Sequence, residues 1–241
     1  MRLLAVEGNS KDIWEKREKC GGVPYHKRFL AMLKILQPNA KVEVAFPADN
    51  DTILPSVRSL EKFDGILWTG SSLSVNDPVP SVQRQLSFTE DVFKSGVPFY
   101  GSCWGLQLAA VVAGGKVSAC VNGREFGISS PVELTDAGKK HQCLQGRKAP
   151  YNTLCIHMDE VLEPPSNSTI LAKNSHSKIQ ALTIKHNKSV FFGVQYHPEF
   201  KISDMVFIAN YMSKTLIDDG VFASIDDVEN FTKEEGPNKR K

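Results

Sequence analysis

The stretch GVPFYGSCWGLQLAAVVAGG, residues 96–115, changes from a strand pattern to a helix pattern within a few residues. Its apolar run VPFY, residues 97–100, is typical of a short buried strand. The segment 106–113 is too long and too rich in alanine for a strand, which favours a helix, and Gly114 with Gly115 ends it. We therefore predict a strand, a very sharp turn and a helix in direct succession.

The turn consists of Gly101-Ser102-Cys103-Trp104-Gly105. A chain that turns this sharply strains the residue at the tip, and flanking glycines let the neighbouring backbone pass without Cβ clashes. The pattern Gly-x-nucleophile-x-Gly is typical of a nucleophile elbow, here with cysteine in the nucleophile position. The free N–H groups at the start of the helix favour the reactive thiolate. The motif also suits a small buried cysteine, so a catalytic role requires a base elsewhere in the chain.

Composition indicates an ordinary globular protein. Of the 241 residues, 41% are hydrophobic and 23% are charged, and the net charge of +2 is too small to indicate a nucleic-acid binder. The sequence has no apolar run of about 18 residues, so we expect no membrane span. Its five cysteines form no Cys-x-x-Cys pair, which predicts reduced thiols in a cytoplasmic protein and no zinc site.

Strand and helix patterns alternate through the first half of the chain. They predict an α/β fold with a doubly wound, mostly parallel central sheet and helices on both faces. The second half holds short β-rich segments, which predict a small antiparallel extension of that sheet. We expect one domain over residues 1–231 and a charged, disordered tail over 232–241. The predicted strands are 3–6, 42–46, 63–68, 97–100, 128–134, 153–157, 169–172, 179–185 and 190–196, and the predicted helices are 25–36, 82–93, 103–113 and 202–216.

The segment 9–22 mixes both charges around Trp14. We interpret it as a solvated insertion, with a loop or short helix near the mouth of the elbow as the alternative. Together with the loop 73–80, it is a candidate for covering the site and setting the choice of substrate.

One histidine has the context of a catalytic base. His197 ends the predicted strand 190–196 and is followed by Pro198 and Glu199. Strand ends are where α/β sheets present catalytic side chains, and the proline turns the chain sharply. Glu199 can then orient the imidazole so that its other nitrogen takes a proton from a thiol. We interpret His26, His141, His176 and His186 as surface residues.

These motifs, in this order, resemble those of the class I (triad) glutamine amidotransferases, over about residues 40–200. The resemblance implies a flavodoxin-like fold and a Cys103–His197–Glu199 triad. Later segments are similar above all to the glutaminase domain of GMP synthase. The motifs that carry the resemblance are WTGSS (68–72), GSCWGLQ (101–107), GGKV (114–117), GREFG (123–127), HMDEV (157–161) and FGVQYHPEF (192–200).

The resemblance also implies how the triad would work. Cys103 would attack the γ-carboxamide of glutamine, and His197 would act first as base and then as acid. Glutamate and ammonia would form through a γ-glutamyl thioester, with no metal and no cofactor. The backbone N–H groups of Ser71 and Trp104 would hold the oxyanion.

Further positions are implied to contact the substrate. Gly70, Gln107 and the main chain around His157 and Met158 match family positions that bind glutamine. Leu73 departs from the family pattern, which often has proline there. Two neighbouring residues have a structural interpretation, since we expect Arg124 and Glu125 to pair and fix a loop next to the site.

Three functions are compatible with these residues. The first is a stand-alone glutaminase that delivers ammonia to a separate synthetase, because the sequence has no Gly-rich ATP-binding motif of its own. The second is a γ-glutamyl peptidase or hydrolase acting on other γ-glutamyl amides, since residues 157–165 resemble members of that type. The third, a catalytically silent regulatory module, is disfavoured by the intact Cys103, His197 and Glu199. The sequence leaves open glutamine or a larger substrate, and the oligomeric state.

Overall fold

A computed structural model describes residues 1–235 of the chain. Its strands form one eight-stranded sheet and two small antiparallel pairs. The strands are β1 (Arg2–Val6), β2 (Lys41–Ala45), β3 (Gly65–Trp68), β4 (Phe99–Ser102), β5 (Lys116–Ala119), β6 (Glu125–Ile128), β7 (Glu133–Leu134), β8 (Leu154–His157), β9 (Asp159–Glu163), β10 (Ser168–Lys173), β11 (Ala181–His186) and β12 (Ser189–Val194).

The main sheet has the order β2-β1-β3-β4-β12-β11-β10-β7. Within this sheet, each strand in the run β2-β1-β3-β4-β12 pairs in parallel with its neighbour. The remaining strands, β11, β10 and β7, continue the sheet with antiparallel pairing. The prediction of a mostly parallel α/β sheet with an antiparallel extension is therefore confirmed. Because β3, β4 and β12 are parallel, the loops at their carboxyl ends meet at one edge of the sheet, where such folds place their sites.

Helices pack against this sheet and bury an apolar core. The clearest case is α5, whose residues 104–110 are all buried, which explains the alanine-rich run in the sequence. None of the helices within residues 1–235 is long and apolar enough to cross a membrane. The helices are α1 (Lys11–Lys19), α2 (Tyr25–Leu36), α3 (Val57–Leu60), α4 (Pro80–Ser95), α5 (Trp104–Val112), α6 (Asp136–Lys140), α7 (Ile202–Tyr211), α8 (Ser213–Asp218) and α9 (Ile225–Glu235).

Two predicted elements are divided in the structure. The strand predicted over 128–134 is two strands, β6 and β7, because Pro131 between them has no N–H to donate to a sheet. The helix predicted over 202–216 ends at Tyr211, and α8 begins at Ser213. Met212, at the break, lines the cavity described below.

Two segments differ from their interpretation. Residues 11–19 form α1, the short helix of the alternative interpretation, and Arg17 in it is buried although most of its charged residues are exposed. The helix α9 extends to Glu235, so residues 232–235 are helical instead of part of a tail. Burial of Val228 and contacts of Phe231 with a hydrophobic cluster stabilise that helix. The rest of the predicted tail, 236–241, lies outside the described residues, and the single domain over 1–231 stays a prediction.

Candidate active site

Cys103 lies at the tip of a strained turn between β4 and α5. Its backbone φ is 48° and ψ is −98°, a conformation that residues with a side chain rarely adopt. A Cβ on Gly101 would lie 2.6 Å from the carbonyl carbon of Gly105, and one on Gly105 would lie 2.9 Å from the Cβ of Trp68. Both glycines are therefore needed for this turn, as the sequence predicts.

His197 and Glu199 lie beside Cys103, at the carboxyl end of β12. His197 Nδ1 is 2.8 Å from Glu199 Oε1, and Ser102 Oγ donates to the same oxygen at 2.9 Å. The imidazole also stacks on Phe200, with a centroid distance of 4.1 Å and an interplanar angle of 3°. These contacts hold the ring on its Nδ1 side and leave Nε2 for the cavity that His197 and Cys103 both line.

The electrostatics of this group favour a charged imidazole. Burial alone lowers the pKa of His197, but the Glu199 carboxylate and the neighbouring Cys103 outweigh burial and raise it to about 10. A protonated imidazole beside a thiol favours the thiolate form that attacks carbonyl carbons. In this structure the Cys103 thiol donates to the carbonyl of Ile156 at 3.7 Å.

Gly70 confines the imidazole from the other side. A Cβ at this position would lie 2.8 Å from His197 Cε1, which is closer than real Cβ atoms approach. The loop that follows β3 therefore lies directly against the proposed base.

The two backbone groups predicted to hold an oxyanion have no protein acceptor among residues 1–235. Neither the N–H of Ser71 nor that of Trp104 donates to a backbone or side-chain oxygen there. The indole of Trp104 donates to Gln85, at 2.8 Å, which holds the start of α5 in place. Both N–H groups are therefore available to a ligand.

Asn9, which the sequence analysis missed, fixes the loop that carries Ser71. Its Oδ1 accepts hydrogen bonds from the Ser72 N–H at 2.9 Å, the Ser72 hydroxyl at 2.8 Å and the Ser71 hydroxyl at 3.2 Å. Asn9 is in turn held by Glu7, whose Oε1 accepts from its backbone N–H at 3.0 Å. The only signal in the sequence was an acidic residue directly after an apolar strand.

His26 is buried, so its interpretation as a surface residue is wrong. Its backbone N–H and its ring Nδ1 both lie 2.7 Å from Glu7 Oε2. Its ring also makes edge contacts with Trp14 and Phe46. Because Glu7 is fully buried, it requires such donors, and the start of α2 supplies them.

Gln107 lies in the cavity on the first turn of α5. Its Nε2 donates to the carbonyl of Asp159 at 2.9 Å, which ties the helix to the start of β9. Met158, between β8 and β9, also lines the cavity. The structure therefore brings together the predicted substrate contacts Gln107, His157 and Met158 around Cys103.

The ring of His157, however, is engaged away from any substrate. Its Nε2 is 2.9 Å from Glu125 Oε2 and its Nδ1 is 3.4 Å from Cys120 Sγ. Burial, together with nearby carboxylates such as Glu160, raises the pKa of Cys120 to about 12, so its thiol stays protonated. At this position only the main chain remains to contact a ligand.

The predicted pairing of Arg124 with Glu125 is wrong. Arg124 Nε donates to Asp219 at 2.7 Å, whereas Glu125 binds His157, Gln180 and neighbouring groups in a buried network. Adjacent residues entering a strand point to opposite faces, which separates the two side chains.

The cavity has a volume of about 290 Å³. Of its lining residues, the sequence analysis missed Ile156 on β8 and two residues from helical segments, Tyr25 at the start of α2 and Met212 after α7. No motif marks Tyr25 or Met212, because they reach the site only through the packing of their helices.

The chain is similar to several known proteins. Residues 31–212 match the family model described as Glutamine amidotransferase class-I. A gamma-glutamyl-L-1-hydroxyisopropylamide hydrolase from Pseudomonas sp is 35% identical over 234 residues, which cover 95% of this chain and 78% of that protein. One subunit of the glutamine-hydrolyzing GMP synthase from Saccharolobus solfataricus is 33% identical over 156 residues, 64% of this chain and 78% of that protein. The crystal structure of a glutamine amidotransferase from Thermotoga maritima has a similar fold, with a TM-score of 0.71 at 18% identity, over 98% of this chain and 91% of that one.

Proposed function

The chain belongs to the class I glutamine amidotransferase family, and from that premise we propose that it cleaves γ-glutamyl carboxamide bonds with a Cys103–His197–Glu199 triad. The observation that carries the proposal is the strained Cys103 in one cavity with an imidazole oriented by a carboxylate. Glutamine is the simplest substrate of this reaction, and its products would be glutamate and ammonia.

The first half of the reaction forms a thioester. Cys103 Sγ, having given its proton to His197, attacks the γ-carbonyl carbon, and a carbon–sulfur bond forms. The tetrahedral intermediate collapses, the carbon–nitrogen bond breaks, and His197 donates the proton to the leaving nitrogen. Ammonia, or an amine from a substituted amide, departs and leaves a γ-glutamyl thioester.

Water completes the second half. His197 takes a proton from a water molecule, which attacks the thioester carbon and forms a carbon–oxygen bond. The carbon–sulfur bond then breaks, glutamate leaves, and the proton on His197 returns to the Cys103 sulfur. Glu199 acts throughout by holding the imidazole in one tautomer and by stabilising its protonated form.

The oxyanion of both intermediates would lie between the backbone N–H groups of Ser71 and Trp104. Their lack of protein acceptors within residues 1–235 supports this assignment. One such donor is typically worth about 2.7–4 kcal/mol of barrier. Gly70, Gln107 and the main chain of His157 and Met158 are our proposed contacts to the amino-acid portion of the substrate.

Two relatives suggest two identities for the leaving group. The GMP synthase relative supports a glutaminase that delivers ammonia to a separate synthetase, the second candidate function. The relative named as a hydrolase of γ-glutamyl-L-1-hydroxyisopropylamide matches 95% of this chain, whereas the GMP synthase relative matches 64%. That extent of similarity favours hydrolysis of substituted γ-glutamyl amides.

The test measures release of glutamate, ammonia and amine by the purified chain, supplied with glutamine and with a series of γ-glutamyl amides. Cys103→Ala should abolish turnover of every substrate. Cys20→Ala, which removes an exposed thiol outside the cavity, should retain it. Full activity of Cys103→Ala on any substrate would overturn the proposal. Strong stimulation of glutamine hydrolysis by an added synthetase would instead support the second candidate.

A further inference from the structure

The cavity around Cys103 is lined by both polar and apolar residues. The polar residues include Ser72, Ser74, Asp77, Gln107, Arg124 and Asp159. Three half-buried apolar residues of the lining form one group, which we call the apolar wall. It consists of Tyr25, Ile156 and Met212, and all three pack against the cluster of Phe200, Met205 and Ile208.

The apolar wall lies on the same side of the cavity as the proposed base. The Tyr25 ring is 6.3 Å from the His197 ring and 5.5 Å from Phe200, which stacks on His197. Ile156 borders the nucleophile, since its carbonyl accepts the Cys103 thiol. The wall therefore adjoins both reacting groups.

The wall is also held firmly. The guanidinium of Arg17 in α1 lies 4.6 Å from the Tyr25 ring centroid and 4.9 Å from that of Phe207. Arg17 Nε further donates to the carbonyl of Val23 at 3.0 Å. The segment 9–22 thus contributes a buried cation that fixes one face of Tyr25.

The chemistry of the reaction determines which part of a substrate lies near the apolar wall. His197 must come within hydrogen-bond reach of the leaving nitrogen, so any carbon on that nitrogen projects beside His197. The other end of a γ-glutamyl group carries an ammonium and a carboxylate, which require polar partners. In glutamine the leaving nitrogen carries no carbon, so nothing would cover the apolar wall. In a substituted amide, an alkyl group on that nitrogen would bury apolar surface against the wall.

We propose that the apolar wall is a leaving-group subsite, with Tyr25 and Met212 as specificity-determining residues, and that the preferred substrates are γ-glutamyl amides with a small alkyl group on the amide nitrogen. This inference rests on the proposed function, because it assigns a substrate class to the same triad.

The test compares kcat/KM for γ-glutamyl isopropylamide and for glutamine. The wild-type chain should favour the isopropylamide by about tenfold or more, since contact of even one carbon with an apolar pocket is worth about that much. Tyr25→Ala and Met212→Ala should each reduce this ratio by about tenfold. Tyr25→Phe keeps the ring and should keep the ratio, as should Tyr211→Ala, the same type of change at a residue outside the cavity.

Several outcomes would overturn the inference. One is equal or better use of glutamine by the wild-type chain, and another is an equal loss for both substrates in the two alanine variants. Circular dichroism and alkylation of Cys103 identify a variant that fails to fold, and Met212→Ala then provides the second test of the wall. Cys103-dependent turnover without a preference contradicts only this inference, whereas absence of any Cys103-dependent turnover contradicts the proposed function as well.

Discussion

Glu7 Oε2 accepts two hydrogen bonds from His26, one from its backbone N–H and one from its ring Nδ1, both at 2.7 Å. This fully buried carboxylate joins the end of β1 to the start of α2, where Tyr25 borders the cavity. Through Asn9 it also holds the loop of Ser71. Glu7 is therefore a positioning residue for two sides of the site.

We expect Glu7→Gln to lower both stability and activity. The glutamine side chain has one acceptor oxygen fewer. Its amide N–H would point at a donor of Asn9 or His26 from which a carboxylate oxygen of Glu7 accepts in the wild type. Leaving a buried donor unpaired costs about 1–3 kcal/mol, so the free energy of unfolding of the variant should fall by about that amount. Urea denaturation measures this change. kcat should fall as well, because the loop of Ser71 loses its support. Glu43→Gln, at an exposed partner of Arg2, should change neither quantity noticeably, and a Glu7→Gln variant as stable as the wild type would contradict the positioning role.

Gly70→Ala should displace the imidazole of His197. The added Cβ would lie 2.8 Å from Cε1, so the ring or the loop must shift by several tenths of an ångström. A misplaced catalytic group can cost about 100-fold in rate, which steady-state kcat would show in a chain that remains folded. In the control Gly65→Ala, the new Cβ meets the flexible end of Leu3 at 3.3 Å and the Pro98 carbonyl oxygen at 3.9 Å, an ordinary contact, so kcat should be retained. Unchanged kcat in Gly70→Ala would mean that this loop does not confine the ring.

Ser102→Ala tests whether the Glu199 carboxylate needs its second donor. Ser102 Oγ donates to Glu199 Oε1 at 2.9 Å, and its loss removes one hydrogen bond to a charged group, worth about 1.5–3 kcal/mol. We expect kcat to fall by about tenfold with KM unchanged. Ser189→Ala removes a buried hydroxyl that donates to Val92, away from the site, and should leave kcat intact. A rise in KM alone would indicate a role in binding.

The stabilising effect of Glu199 should depend on pH. Burial lowers the pKa of His197, but Glu199 and Cys103 together outweigh it, so the folded value of about 10 lies above the unfolded value of about 6.5. Stability from the protonated imidazole is therefore fully present below about pH 6.5 and is lost as the pH rises through about 10. In urea denaturation, the advantage of the wild type over Glu199→Gln should be largest at about pH 6 and smallest at about pH 10. An advantage that grows with pH would contradict this assignment, and the corresponding difference for Glu43→Gln should stay flat.

The features that the sequence predicted correctly depend on residues close together in the chain. The elbow requires glycines on either side of Cys103, because a Cβ on Gly101 would clash with the backbone of Gly105. The dihedral angles of a few successive residues are enough to set this close approach. The carboxylate of Glu199 follows His197 by two residues, so a proline-directed turn suffices to bring them together. The alternation of strand and helix patterns likewise predicted the parallel half of the sheet.

The errors concern contacts between distant segments, or the direction in which side chains point. Arg124 and Glu125 are neighbours in sequence, yet they face opposite sides and bind Asp219 and His157.

The sequence by itself therefore determined the sharp turn at Cys103, the pairing of His197 with Glu199 and the type of sheet that presents them, since short-range sterics and hydrophobic periodicity depend on consecutive residues. Only the tertiary structure decided which buried carboxylate supports the loop of Ser71 and which side chains form the apolar wall. Glu7, Asn9 and Tyr25 reach the site from the first 25 residues of the chain, whereas Ser72 and His197 come from much later segments. Such partners are chosen by how α1 and α2 pack on the sheet, because burial of a charged or polar group is stable only where packing brings it a matching donor or acceptor.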